Sequence, residues 1–330
     1  MRAIDIVIKG ARKGYRLFAN KEFLPPLCNI DRKEVNYQIY NLLSQNRPSM
    51  ISRFGTVELN CINNYLCVQN KNKIRGAVEF ITDNTHTPWW NTDHFKYLEL
   101  NAGVFPASIE TSEEFSRIYL EDIPLIDVLG SFQYYEKYMP LSDKVYKAQL
   151  ETLYPFFVEN PWTKILEGLN VLVVHPFEDT IKKQYLNRDK LFNNIDILPS
   201  FNLLTFKAVQ SSANNQTNFK NWFEALEFMK NKIEGIDFDI ALLGCGAYGL
   251  PLAAHVKRLG KKSVHLGGGL QLLFGIKGKR WESQYKDSWE YRPGMSISTN
   301  YNKLFNDYWT RPSEDERPEK LEKIENGCYW

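Results

Sequence analysis

The feature that most constrains the fold is a regular alternation of strand and helix patterns, which begins near residue 169. Residues 171–174 form an unbroken run of valine and leucine, which is typical of a strand buried on both faces. Further strand patterns occupy residues 238–243 and 263–266, and a helical pattern at 250–259 lies between them. Strands that alternate with helices predict a parallel sheet with right-handed crossover connections.

The remaining patterns extend this prediction along the chain. Helical patterns occupy residues 31–45, 57–68, 111–124, 179–188 and 217–233, and extended patterns occupy 50–54 and 195–206. We therefore expect an α/β fold at residues 22–280, with a mostly parallel sheet and helices on both faces, in halves of about 45–150 and 165–280. Residues 281–330, rich in aromatic residues and proline, predict an irregular arm packed on this domain.

Charge and cysteine content exclude several classes of protein. The net charge of +2 lacks the basic excess that nucleic-acid binding requires. Five cysteines, an odd number, occur without any C-x-x-C motif, so neither a disulfide framework nor a zinc ribbon is indicated. This usage fits a reducing compartment, and we expect a cytoplasmic protein.

The N-terminal 21 residues form a separate basic segment. Its basic residues are Arg2, Lys9, Arg12, Lys13, Arg16 and Lys21, and Asp5 is its one acid. A basic amphipathic helix can lie on an anionic membrane surface, which would place the protein at the inner face of the membrane. A solvated helix face is the alternative interpretation.

The most specific local motif is a G-x-G-x-x-G sequence formed by Gly244, Gly246 and Gly249. It follows a predicted strand and precedes a predicted helix, so backbone N–H groups there could bind a phosphate. The dinucleotide-binding version also needs an acidic residue at the end of the next strand, and residues 263–269 contain none. A different phosphate-bearing ligand is therefore favoured, although a tight turn whose glycines serve only packing would give the same pattern.

Other chemically suitable residues also follow predicted strands. Arg53 ends a strand, and Glu58 lies in the first turn of the next helix, where it could act as a general base, bind a metal or simply pair with Arg53. His175 and Lys207 each end a strand and could hydrogen-bond a phosphate or a sugar hydroxyl. Lys277 and Arg280 lie in a glycine-containing loop that could close over a diphosphate.

Taken together, these stretches resemble the GT-D-fold glycosyltransferases of bacterial surface-glycan synthesis. The resemblance is carried by residues 52–58, 101–106, 175–177, 205–211 and 239–281, and by 309–312 and 327–330. It implies a single Rossmann-like α/β domain with the GT-D fold. It also implies a hexosyltransferase-type enzyme that moves a sugar from a nucleotide-sugar donor to a glycan or lipid-linked acceptor. The donor-binding residues that we assign are Arg53, Gly55, Lys207, Gly244, Gly246, Tyr248, Gly249, Lys277 and Arg280.

The resemblance also bears on catalysis, the acceptor and the metal. We expect Glu58 to be the catalytic base, with His175 as the second candidate. Aromatic and basic residues of the arm could bind the acceptor, and they are Trp309, Arg311, Tyr329 and Trp330. Members of the family carry an Asp-x-Glu motif associated with Mn²⁺ or Mg²⁺, but Thr56 replaces the aspartate here and leaves Glu58 as the one carboxylate ligand.

Two other functions remain open at this point. An NAD(P)-binding oxidoreductase could use the G-x-G-x-x-G turn, although the missing acid counts against it. A non-catalytic module that binds a nucleotide sugar or a glycan would fit the replacement of the aspartate by Thr56.

Overall fold

The computed structural model describes residues 3–19, 24–212, 215–282 and 300–318, together with Gly327 and Tyr329. The strands in this part are β1 (Ser49–Arg53), β2 (Val128–Ser131), β3 (Tyr146–Gln149), β4 (Asn170–His175), β5 (Asn202–Lys207), β6 (Ile240–Leu243) and β7 (Lys262–His265). The helices are α1 (Ala3–Phe18), α2 (Arg32–Ser44), α3 (Thr56–Gln69), α4 (Lys73–Ile81), α5 (Thr92–Ala102), α6 (Ile109–Asp122), α7 (Glu178–Tyr185), α8 (Arg188–Leu191), α9 (Trp222–Glu234), α10 (Gly249–Arg258), α11 (Leu270–Leu273) and α12 (Lys279–Glu282).

These strands form one sheet in the order β3-β2-β1-β7-β6-β4-β5. Neighbouring strands are parallel in every pair, which confirms the α/β prediction. The carboxyl ends of all the strands therefore lie at one edge of the sheet.

The sheet is covered on both faces, as the strand patterns predict. In β4, Val171 and Val173 pack into one hydrophobic cluster, whereas Leu172 and Val174 pack into the other. Successive side chains of a strand point to opposite faces, so an all-apolar strand serves both cores. The first cluster includes apolar side chains of α2, α7 and α11, and the second includes those of α3, α6, α9 and α10.

The strand order creates crevices at the carboxyl edge. After β4 the chain continues through α7 on one face, whereas after β6 it continues through α10 on the other. In the same way α3 follows β1 on one face, and residues 270–273 follow β7 on the opposite face. Ligands of open α/β sheets bind where neighbouring connections diverge in this manner.

Some elements differ from the sequence prediction. The extended pattern at 195–206 is a 3₁₀ turn at Ile195–Ile197 followed by β5. Helix α9 begins at Trp222 instead of residue 217, because the side chain of Asn221 caps its N-terminus by accepting the Glu224 N–H. The sequence patterns gave no indication of β2 and β3, which are only four residues long each.

The described part of the C-terminal arm is irregular but belongs to the core. Residues 300–318 contain only short 3₁₀ turns, at Tyr301–Lys303 and Glu314–Glu316. Tyr301 and Trp309 are 2% and 5% exposed and join the same cluster as α7 and α11. Among the helices of the described residues, none has both the length and the apolar character needed to cross a bilayer.

Candidate functional site

A cleft at the carboxyl ends of β1, β7, β6 and β4 brings several of the predicted residues together. The space within it is about 1080 Å³, a figure that includes the open solvent at its mouth. The residues that line it are Arg53, Gly55, Thr56, Val57, Glu58, Asn101, Ala102, His175, Pro176, Phe177, Val209, Gln210, Ser211, Ser212, Gly244, Cys245, Gly246, Tyr248, Gly267, Gly268, Gln271, Arg280 and Tyr329.

Arg53, the last residue of β1, supplies a positive charge to this cleft. Its aliphatic stem lies against Gly267, and its guanidinium carbon is 5.5 Å from the centre of the Phe132 ring. Within the described part of the chain Arg53 forms no ion pair, and in particular none with Glu58. The guanidinium is therefore held in place by packing and is available to an anionic ligand.

Glu58 places a carboxylate at the same edge. Glu58 is the third residue of α3 and is 8% exposed. Gly55, the residue before the helix, has no side chain that could cap its N-terminus. Its carboxylate occupies the space that a Cβ atom at residue 55 would need. A carboxylate in the first turn is favoured by the helix dipole, so glycine at 55 allows Glu58 to fold back over the N-terminus.

We expect Gly55→Ala to separate activity from stability. Gly55 has φ −77° and ψ 147°, which alanine adopts easily, so backbone strain should be absent. The new methyl group displaces only the end of a flexible side chain, and the free energy of unfolding should change by less than about 1 kcal/mol. If Glu58 is the base that the sequence predicts, activity should nevertheless fall, because a catalytic group must stay within about 0.5 Å of its working position. Thermal unfolding and a transfer assay on the same preparation check this prediction, and unchanged activity contradicts it.

His175 ends β4 and faces the cleft as a neutral donor. Its Nδ1 accepts the Phe177 N–H at 2.9 Å, which assigns the ring proton to Nε2. Burial lowers the pKa of His175 to about 3, so the ring is uncharged at neutral pH. With Nδ1 occupied, the atom left for a ligand is the Nε2–H donor, and a proton-accepting role is disfavoured.

The first glycine turn separates β6 from α10, and its glycines have different roles. A Cβ atom at Gly244 would come within 2.6 Å of the His175 ring and 3.0 Å of the Gly267 carbonyl. Gly246 has φ +57°, a conformation that glycine adopts without strain. A Cβ atom at Gly249 would overlap the ring of His265, so this glycine lets the helix approach β7 closely.

Hydrogen bonds fix the aromatic residue of this turn. Ser211 Oγ donates to the Gly103 carbonyl at 2.7 Å, so its 2.9 Å contact with the Tyr248 hydroxyl has Tyr248 as the donor. The Tyr248 ring also stacks on Trp222, with 5.0 Å between centres and 10° between planes. Tyr248 is thus a fixed part of the cleft lining. It is hydrogen-bonded to Ser211 in the loop after β5 and, through Ser211, to Gly103 after α5.

A second glycine turn, Gly267–Gly269, follows β7 and supports the end of the chain. The ring of Tyr329 lies directly on Gly268, where a side chain would displace it. The Tyr329 hydroxyl accepts a hydrogen bond from Arg280 at 3.0 Å, and its carbonyl accepts one from Gln271 Nε2 at 3.1 Å. These contacts bring an aromatic ring and a second arginine to the cleft.

The other predicted residues lie outside the cleft lining. Lys207 is exposed at the end of β5, Lys277 lies with its Nζ 5.7 Å from the Phe305 ring centre, and Arg311 pairs with Glu282. Trp309 is buried and donates its Nε1–H to the Leu191 carbonyl at 3.0 Å, which is a packing role. Trp330 lies outside the described residues.

Several lining residues had been assigned no role from the sequence. They are Asn101, Gln210, Ser211, Ser212 and Gln271. Gln271 is 1% exposed, and its Oε1 atom has no hydrogen-bond partner in the described chain. Because Gln271 follows the second glycine turn by two residues, its position after a strand end was the available signal.

The lining residues do not fit a divalent cation held by the protein alone. Glu58 is the one acidic side chain among them, and Thr56 is a weak ligand beside it. Across the described ranges, no group of three or more His, Cys, Asp or Glu side chains could hold a metal ion. Any Mn²⁺ or Mg²⁺ would therefore depend mainly on oxygen atoms of the ligand.

No family model matches the sequence, and no curated protein is significantly similar to it. Among solved structures, the chain is similar to one described as domain of unknown function 1792 with a distinct glycosyltransferase fold, at 12% identity and a TM-score of 0.35, over 92% of this chain and 99% of that chain. It is also similar to a selenomethionine-substituted structure of domain of unknown function 1792, at 13% identity and a TM-score of 0.31, over 84% of this chain and 99% of that chain. At these TM-scores the likeness is distant, and it carries no information on the activity of this chain.

Proposed function

We propose that the protein is a glycosyltransferase that moves a hexosyl group from a nucleotide-sugar donor to a hydroxyl group of a glycan or lipid-linked acceptor in bacterial surface-polysaccharide synthesis. One observation carries the proposal: a single cleft combines two arginines, glycine turns and a helix N-terminus with one buried carboxylate. The arginines, the glycine turns and the helix N-terminus suit the binding of a diphosphate. The carboxylate suits the activation of a hydroxyl group.

The donor diphosphate would lie between Arg53 and Arg280. Arginine binds phosphate oxygens through paired N–H donors. The N–H groups at the start of α3 and at Gly246 and Ala247 add partial positive charge, whereas the Tyr248 N–H already donates to the Cys245 carbonyl. The Tyr329 ring beside Arg280 gives a flat apolar surface on which a base or a sugar ring could stack. The unpartnered Gln271 Oε1 could accept a hydrogen bond from a ligand hydroxyl or ring N–H.

The reaction needs one group that accepts a proton and several hydrogen-bond donors in fixed positions. As the acceptor oxygen bonds to the anomeric carbon of the sugar, Glu58 takes the hydroxyl proton, and the bond from that carbon to the diphosphate oxygen breaks. Negative charge then grows on the leaving diphosphate, where Arg53, Arg280 and the His175 Nε2–H could stabilise it. The protein already orients these hydrogen-bond donors before the reaction, so little reorganisation is needed when the charge develops.

An assay with a panel of donors tests the proposal directly. Release of nucleoside diphosphate from UDP- and GDP-sugars is measured with added Mn²⁺, with added Mg²⁺ and with EDTA. We expect release from at least one donor, and the same donor should raise the melting temperature by mass action. Stabilisation by NAD(P)H with no effect of any nucleotide sugar would overturn the proposal, and stabilisation by a donor without turnover would indicate a binding module.

The structure adds one argument against the oxidoreductase alternative. β7 is the parallel neighbour of β6, with Leu243 opposite His265. The ribose-binding acid of a dinucleotide site would therefore be expected at the end of β7, and that position leads through Leu266 into Gly267–Gly269.

A further inference from the structure

Helix α1 is packed with its basic side on the protein and its apolar side towards solvent. Arg12 and Arg16 both form ion pairs with Asp83, whose side chain is 4% exposed. The Arg12 guanidinium carbon also lies 4.2 Å from the centre of the Phe80 ring, next to α4. The charged groups that would normally keep such a helix soluble are thus largely used for contacts with the body.

The opposite side of α1 exposes large apolar side chains. Ile4 and Val7 are 60% and 69% exposed, and Leu17 and Phe18 are 81% and 92% exposed. Residues 4, 7, 11, 14 and 18 recur at helical spacing, and they are isoleucine, valine, alanine, glycine and phenylalanine, so they form one apolar stripe. Large apolar side chains that are exposed on one side of a helix are typical of an interaction surface.

The neighbouring helix α4 also exposes apolar and basic side chains. Helix α4, which packs against α1, exposes Ile74 and Val78 at 80% and 53%. Lys13 is exposed among the apolar residues of α1, and Lys73 is exposed at the start of α4. The one acid of α1, Asp5, is 4% exposed.

We propose that α1 docks this protein onto an anionic lipid membrane, with the apolar stripe inserted between the acyl chains and the lysines on the headgroups. A helix that lies in the membrane interface combines these two features. Anionic lipids attract lysines near the surface, whereas a second copy of the chain would bring Lys13 against cations of the same kind. The membrane is therefore a better partner for this surface than another α1 helix.

Vesicle co-sedimentation tests the proposal with the full-length protein. We expect binding to phosphatidylcholine vesicles that contain about 30% phosphatidylglycerol, and weaker binding to phosphatidylcholine alone. Val7→Ser/Phe18→Ser should lower the partition coefficient on anionic vesicles about a hundredfold, because two large apolar side chains no longer insert. Lys13→Glu should lower it about tenfold, and this loss should shrink at high salt.

The matched control is Leu186→Ser/Ile195→Ser, since these side chains are 79% and 68% exposed elsewhere on the surface. This control should bind vesicles like the unchanged protein. Equal loss in the control, or no binding of the unchanged protein to anionic vesicles, overturns the proposal. So does light scattering that shows a dimer dissociated by Val7→Ser/Phe18→Ser, because the patch would then cover a second copy.

Discussion

Replacing Glu58 by glutamine should reduce sugar transfer by about 10²- to 10⁴-fold, the usual contribution of a general base. Glutamine keeps the shape of the side chain over Gly55 but cannot take the proton of an acceptor hydroxyl. Donor binding should change little, since Arg53 and Arg280 supply the positive charge. The measurements are turnover with the best donor of the panel and the donor-induced shift of the melting temperature.

Glu178→Gln is the matched control for this experiment. Glu178 also lies in the first turn of a helix at the carboxyl edge of the sheet, but it contacts Thr205 and Lys182 and lies outside the cleft lining. Its replacement should leave turnover within about threefold, since it touches neither donor nor acceptor in the proposed arrangement. If Glu58→Gln retains the turnover of the unchanged protein, Glu58 is not the base.

The arrangement of the sheet follows from local patterns where the strands are long and fully apolar. Residues 171–174 and 240–243 are buried on both faces, and this explains why their sequence predicted central parallel strands. β3 could not be found in this way, because it lies at the edge of the sheet with Tyr146 and Lys147 half-buried. β3 is held in the sheet by its pairing with β2, and nothing within residues 146–149 indicates that contact.

The candidate site was predictable to the extent that it depends on strand ends. Arg53 and His175 are the last residues of their strands and Gly244 follows β6, so the parallel sheet brings all three to one edge. Lys277 is predicted from its place in a glycine-containing basic loop, and Trp309 from its place in the aromatic C-terminal arm, but their side chains face Phe305 and Leu191. Side-chain direction in such irregular segments is set by tertiary packing, which no local pattern encodes.

The orientation of α1 is likewise set by tertiary contacts and not by its local sequence pattern. Its sequence indicated an amphipathic basic helix, for which a solvated basic face was the simplest interpretation. The buried carboxylate of Asp83 reverses this, because it binds Arg12 and Arg16 and holds their side of the helix inward. These arginines hold the pKa of Asp83 below its ordinary value, so this ion pair persists at mildly acidic pH.

The second large effect is expected at Arg53. Arg53→Met keeps an unbranched side chain beside Gly267 but removes the guanidinium. The cleft should therefore retain its shape and lose one of the two charges between which the proposed arrangement places the diphosphate. Removal of a donor that stabilises the developing charge typically costs about 10²- to 10³-fold in turnover. Because the diphosphate is already charged before transfer, the donor affinity should fall as well, and both quantities are measured by steady-state kinetics and by donor titration.

Arg47→Met is the matched control, because Arg47 lies near the opposite end of β1. Arg47 pairs with Asp127 at 3.2 Å, its side chain is 47% exposed, and it precedes β1, whereas Arg53 ends this strand. An exposed ion pair contributes little, so Arg47→Met should leave both turnover and donor affinity unchanged. If Arg53→Met lowers the melting temperature but not the donor affinity, Arg53 supports the fold through Phe132 and Gly267 instead of binding the diphosphate. If both variants bind donor normally, the anion must lie elsewhere, and the proposed transfer at this cleft would have to be abandoned.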